Sequence, residues 1–199
     1  MMSQTKVNII SNAFVLLGKN PIVAIDSSNP AQSAVSTLYD ALLLNELTRG
    51  QPWRFSIGTQ ELTRTNDTPI NGWLYEYQLP SNFLRLVRTY NNSNAVISYD
   101  LYQDRILTNS TVVKVDFIFK VNESLFPPYF YMLMVYDVAA HIAMTITQDV
   151  TIVKIWQDAY KEQKLVAEYI DSITTPNLSF APGQIYQARA SGVTNRALY

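Results

Sequence analysis

At 199 residues, 48% of them apolar, the chain can bury one core of good size and is not a disordered polypeptide. Its 15 Lys and Arg against 16 Asp and Glu leave a formal net charge of −1 and no basic tract, which argues against sequence-general binding of nucleic acid. Cysteine is absent, so disulfides, thiolate metal sites and Cys nucleophiles are excluded together.

The first ten residues, MMSQTKVNII, lack a charged stretch followed by a long apolar run, so no secretory signal is expected. Residues 4–18 read as a helix. Val7, Ile10, Ala13, Phe14 and Leu17 recur at three- and four-residue steps, and Gly18 is placed to supply a left-handed C-terminal residue. A connector broken by Pro21 and Pro30 comes next. Residues 30–49 read as a second helix, capped by Asn29 and begun by Pro30. Its buried stripe is expected at Ala31, Ala34, Val35, Leu38, Leu42 and Leu43, with Gly50 ending it.

From 53 to 119 the pattern turns to β-branched and aromatic residues. Val113, Val115, Phe117 and Phe119 alternate with Lys114, Asp116 and Lys120, the period of a half-buried strand. Asn71-Gly72 and Asn91-Asn92 are turn chemistry, and LYQDRILTNSTVVKVDF reads as a hairpin turning at Asn109-Ser110. RGQPWRF (49–55) places Trp53 and Phe55 at the exit from the second helix. There they are expected to wedge the seam between helices and sheet.

Helical signals return at 127–148, a stretch apolar almost all round. Its polar positions Asp137, His141, Thr145 and Gln148 form one narrow stripe. The run 125–147 has the length of a membrane span, but Pro127, Pro128, Asp137 and His141 speak for the central helix of a core. Residues 149–173 form the last helix, capped by Asp149. Ile152, Trp156, Ala159, Val166, Ile170 and Ile173 are expected on its buried face. From 174 onward neither period holds, and the segment carries two Arg and no acid.

These elements predict an α+β fold. A four-helix bundle is built from both chain ends (1–50 with 121–173), an antiparallel β module is inserted at 51–120, and 174–199 forms an extended C-terminal arm. Leu178, Phe180, Ile185, Tyr186, Leu198 and Tyr199 are spaced along that arm as candidate partner-docking anchors. Charged residues make up only 16% of the chain and Tyr numbers 13, a surface suited to permanent contacts.

Little in the sequence points to catalysis. His141 is the sole His, and Asp137, one helical turn earlier, is its natural partner. A hydrolytic dyad would need a nucleophile motif beside them, and none is present; a polar pair facing solvent or a subunit contact is the simpler reading. Six Gly form no phosphate-binding loop, and the acids Glu61, Asp67, Asp100 and Asp104 suit turns and solvated surface. Neither a catalytic residue, a cofactor site nor a metal site is expected.

In three stretches, ISNAFVLLGKNPIVAIDSSNPAQSAVSTLYDALLLNEL, RGQPWRFSIGTQELT and NGWLYEYQLPSNFLRLV, the chain resembles the tail tubular protein A family of short-tailed phages, the head-to-tail adaptor proteins. The likeness rests on an ordered set: Leu17, Gly18, Pro21, Ile22, Pro52, Trp53, Phe55, Trp73, Tyr75, Tyr77, Leu79, Pro80, Leu84 and Arg85. It covers residues 8–90, while 127–173 fits in layout alone. The resemblance implies a structural protein of the virion, made in the host cytoplasm and placed at the head-to-tail junction. It implies a dodecameric ring of the chain with itself, between the portal protein and the tail nozzle protein. DNA would pass through the lumen without specific binding, and no membrane is involved. A receptor- or glycan-binding tail module is the alternative, drawing on exposed Tyr and Trp.

Overall fold

The computed structural model describes residues 5–174, apart from residues 27, 68 and 70 and the side chains at 30 and 31. Helices α1 (Lys6–Leu16) and α2 (Pro30–Thr48) come first. Six strands succeed them: β1 (Ile57–Glu61), β2 (Tyr75–Gln78), β3 (Phe83–Tyr90), β4 (Tyr99–Tyr102), β5 (Arg105–Thr108) and β6 (Lys114–Phe119). Helices α3 (Pro128–Thr147) and α4 (Val150–Ile173) close the described chain, and the fold is α+β.

Local chemistry sets the helix ends. Thr5 accepts from Asn8 N–H to begin α1. At the other end Gly18 takes φ +73°, and the amides of Gly18 and Lys19 donate to the carbonyls of Val15 and Phe14, the paired bonds of a Schellman motif. Asn29 Oδ1 accepts from Gln32 N–H at 3.4 Å, and Gly50 with φ +75° succeeds α2. Gln148 in the left-handed conformation ends α3, and Asp149 Oδ1 accepts from Thr151 N–H at 2.7 Å to begin α4. So short a link forces α3 and α4 to lie antiparallel side by side.

Helix α3 packs against α1, α2 and α4. Phe130, Leu133, Met134, Val138 and Ala139 are buried against Ile9, Ile10 and Ala13 of α1 and Tyr39, Leu43 and Leu47 of α2, in one hydrophobic core. It has the length and apolar composition of a membrane span, and 56% of its most apolar window is buried within the protein. In α2, Ala34 is exposed rather than part of the stripe, and Tyr39 and Leu47 supply the bulk. In α4 the expected inner face is partly wrong. Val166 and Ile173 are 49% and 59% exposed, whereas Ala167 and Asp171 are buried. Both sides of α4 carry apolar residues, and the position of α3 decides which side is covered.

The strands form two antiparallel sheets of three, ordered β1-β6-β3 and β2-β5-β4. Val115 and Phe117 of β6 face Tyr77 and Ile106 of the second sheet and Leu79 just after β2, whereas Ile118 enters the helical core. Period two in β6 therefore serves two cores at once. The expected hairpin at Asn109-Ser110 does not form: β5 pairs with β2 and β4, and β6 with β1 and β3. The tight turn lies at Gln103-Asp104, where Tyr102 pairs with Arg105 and Gln103 takes φ +56°. Asn109 is used otherwise: its Oδ1 accepts from Leu74 N–H at 3.0 Å, holding the crossover between sheets.

Candidate interaction surfaces and the cleft beside His141

His141 sits on α3 at the wall of an open cleft of about 700 Å3, with the end of α2 and one side of α4 as the other walls. Its Nδ1 lies 2.8 Å from the carbonyl oxygen of Asp137 and 3.1 Å from Asp137 Oδ1. The Asp137 hydrogen bond raises the affinity of His141 for its proton above the ordinary histidine value, against the opposing effect of burial. The pair does not face solvent as a unit: the His141 side chain is 49% exposed, whereas that of Asp137 is 3% exposed. Arg49, Tyr160, Lys161, Lys164 and Glu168 line the rest of the cleft with apolar Met144 and Val153, and among the described residues no Ser or Thr joins them. The arrangement can bind and exchange a proton at His141; among the described lining residues the one hydroxyl is that of Tyr160, which donates to Glu46.

Next to the cleft is an ionic contact that sequence reasoning did not find. Glu46 of α2 is 1% exposed. Its Oε2 accepts from Tyr160 Oη at 2.9 Å and from Lys164 Nζ at 3.1 Å, and Oε1 lies 2.8 Å from the same Nζ. Burial, then the Glu46 charge, pushes the Tyr160 phenol upward, so it stays a donor. A second buried carboxylate, Asp171, accepts from Arg54 N–H and from Tyr129 Oη at 2.7 Å. The Glu46 contacts with Tyr160 and Lys164 and the Asp171 contact with Arg54 each join residues more than a hundred positions apart, with no local signal to announce them.

The aromatic turn is packed as expected, but the ring contacts of Trp53 and Phe55 are with the helical core rather than with the sheet. Trp53 is 4% exposed, its Nε1 donates to the Glu46 carbonyl at 2.9 Å, and its ring meets Phe130 edge-on at 5.1 Å. Phe55 packs on Phe130 at 4.7 Å and on Phe126 at 6.0 Å. Other residues of the ordered set are structural too. Arg85 Nη1 donates to the carbonyls of Thr48 and Gly50 at 2.8 and 3.0 Å, pinning β3 to the end of α2. Trp73 Nε1 donates to Asp100 at 2.8 Å, and Tyr75 carries the Arg64 guanidinium 4.0 Å from its ring centre.

Two apolar surfaces lack cover among the described residues. Strand β4 is the edge of its sheet and is exposed at all four positions, with Leu101 at 48% and Tyr102 at 63%. On α4, Leu165, Val166, Tyr169 and Ile173 are 68%, 49%, 66% and 59% exposed. At steps of three and four they form one stripe, turned away from buried Ala167 and Asp171. The signal for it was present as a second apolar periodicity in 149–173. Among the described residues no cluster of three or more His, Asp or Glu could hold a metal ion. The arm anchors Leu178, Phe180, Ile185, Tyr186, Leu198 and Tyr199 lie outside the described residues.

No family model matches the chain, and no curated protein matches it.

Proposed function

We propose that the chain is a structural subunit of a virion, a head-to-tail adaptor that assembles with copies of itself into a ring between portal and tail nozzle. In this reading α1–α4 are a four-helix bundle made from both chain ends, the strands are an inserted module, and the segment from 174 is a partner-docking arm. The observation that carries the reading is the edge strand β4. It presents Leu101 and Tyr102 to solvent along an open sheet edge on which Asp100 is the one charge, and such an edge invites pairing with another chain. A ring needs heterologous contacts that close, and such an edge suits one of them. The resemblance of the ordered residue set to the adaptor family supports the location and a ring of twelve in this reading. Near-neutral charge suits a lumen through which DNA slides, because many phosphate contacts would hold it. The cleft beside His141 performs no reaction in this reading. Light scattering of the full chain, alone and with portal protein, tests it: a ring or a portal-bound assembly is expected, and Tyr102→Asp should weaken it without changing the melt. A lasting monomer that ignores portal would refute it.

A second reading has one observation in its favour. A concavity of about 580 Å3 at the second sheet is lined by Asp67, Asn71, Glu76, Tyr102, Gln103 and Arg105. An aromatic face beside acids and an amide is the equipment of a glycan-binding tail module. Glycan-array binding lost in Tyr102→Ala would favour it over the ring.

A further inference from the structure

Each sheet of the β module has two edge strands, and among the described residues one edge of each is protected. Along β2 the chain at 63–65 forms a cover. Arg64 bridges Tyr77, Thr65 N–H donates to the Glu76 carbonyl at 2.9 Å, and Gln78 N–H donates to the Thr63 carbonyl at 3.3 Å. Along β3 the register slips between Phe83 and Arg85 and again between Leu86 and Arg88. Val96 bridges Tyr90, and Ile97 N–H donates to the Thr89 carbonyl at 3.5 Å. Bulges and covers are means of blunting an edge. Strands β1 and β4 have neither. β1 pairs with β6 residue for residue, from Ile57 opposite Ile118 to Glu61 opposite Lys114, and β4 pairs with β5 in the same regular way. Their outer edges have no strand partner among the described residues. Thr59, Gln60 and Glu61 of β1 are exposed, as is every residue of β4.

The two open edges lie on opposite flanks of the module. Residues 62–65 carry the chain from β1 to the side of β2, so the β1 and β2 edges share one flank. Val96 and Ile97 run beside β3 on the way into β4, so the β3 and β4 edges share the other. Different edges on opposite flanks join copies head to tail, whereas one edge pairing with itself stops at a dimer. Charge agrees. The β4 edge carries Asp100, held by Trp73 and no cation, and ends at Asp104. The chain entering and leaving β1 carries Arg54 and Arg64, and neither guanidinium is paired with a carboxylate among the described residues.

We propose that β4 of one copy pairs antiparallel with β1 of the next, extending the second sheet of one protomer into the first sheet of its neighbour. The register sets Leu101 opposite Thr59, Asp100 opposite Gln60 and Tyr102 opposite Gly58. Gln60 then offers an amide to Asp100, the Tyr102 ring covers an edge glycine, and Asp100 does not stand opposite Glu61. The pairing stands on the two edges; that the series of copies closes rests on the ring reading.

The chain has no Cys, so introduced thiols report alone. Full-length chains carrying Leu101→Cys and Thr59→Cys are mixed, assembled alone or on portal protein, and oxidised. A second mixture carries Asp100→Cys and Gln60→Cys. Adjacent pairs of an antiparallel ladder alternate between wide and narrow spacing, so one of the two mixtures meets the Cβ separation of about 3.8 Å that a disulfide needs. There the mixed disulfide should exceed both same-variant disulfides roughly tenfold. It should exceed by the same factor the disulfide of that β4 variant with Val87→Cys on β3, a position 40% exposed. An excess of same-variant β4 disulfides would mean two-fold pairing of β4 with itself and would overturn the proposal. Mixed disulfides no commoner than the Val87 control in both mixtures would overturn it too. Light scattering of the unmodified chain separates this outcome from that of the ring. A ring without the mixed disulfide refutes the pairing alone, and the mixed disulfide in open-ended chains refutes the ring alone.

Discussion

Replacing Lys164 with Met should be among the most damaging single changes outside the apolar core. Glu46 is 1% exposed and relies on Lys164 Nζ, 2.8 Å from Oε1 and 3.1 Å from Oε2, and on Tyr160 Oη at 2.9 Å. Met fills the stem of the Lys, so packing changes little; what is lost is the cation. Stranding one partner of a fully buried pair costs about 3–5 kcal/mol. Here the Lys164 side chain is 21% exposed and Tyr160 still donates, which lowers the expectation to about 2–3 kcal/mol. For a chain of this length that is a fall in melting temperature of about 4–12 °C. The decisive variant is the double one, Glu46→Gln with Lys164→Met. The glutamine side chain can still accept from Tyr160 and has no charge to strand, so the double variant should be more stable than Lys164→Met alone. Urea unfolding of the four chains gives the coupling directly. If Lys164→Met costs under about 0.5 kcal/mol, or the double variant equals the sum of the singles, water rather than Lys164 is satisfying Glu46 and the reasoning fails.

The remaining predictions concern the histidine and the two joints of α2. Asp137 raises the folded-state pKa of His141 above the ordinary 6.5, so the protonated pair contributes stability that is complete below about 6.5 and fades as pH rises through the folded value. The stability gap between wild type and His141→Gln should therefore be wider at pH 5.5 than at pH 9; a gap constant with pH would contradict it. Arg85→Met removes two charge-assisted bonds to the carbonyls at the end of α2 and should cost about 1.5–3 kcal/mol in urea unfolding, with Arg85→Lys recovering part of it. A loss within about 0.5 kcal/mol would mean that the joint is held elsewhere. Gly50→Ala places a side chain at φ +75° in open space, so the cost is backbone strain alone, about 1 kcal/mol in urea unfolding; no change would show that the turn relaxes.

Helix ends were legible because each is decided within a few residues: Asn29, Asp149, Gly18 and Gly50 all do locally what their types imply. Strand pairing was not. Asn109-Ser110 has the composition of a turn, but its neighbours in space are Leu74 and Tyr77, whose Oη donates to the Ser110 carbonyl. Nothing between residues 101 and 117 encodes that β6 will prefer β1, more than fifty residues earlier in the chain. The polar positions of α3 were seen as one stripe, yet that stripe is not uniformly wet. Asp137 is covered and His141 is left half open. Burial of a charge is settled by what packs over it, and the sequence of a helix does not announce where its neighbours will lie.

Several of the residues that carry the resemblance to the adaptor family are ones the fold itself uses. Gly18 ends a helix, Trp53 fills the core, Tyr77 and Leu79 close the sheet core, and Arg85 ties sheet to helices. Such positions answer to packing and backbone geometry, whatever the surface is used for. The set therefore bears on the arrangement of helices and strands more directly than on assembly. Assembly has to be argued from positions the fold does not need, and Leu101, Tyr102 and the outer stripe of α4 are such positions. Each exposes apolar area that burial would stabilise by roughly 25 cal/mol per Å2, and none belongs to either hydrophobic core among the described residues. Substitutions there separate the two contributions: a change that lowers assembly at constant melting temperature acts on the surface, and one that lowers both acts on the fold.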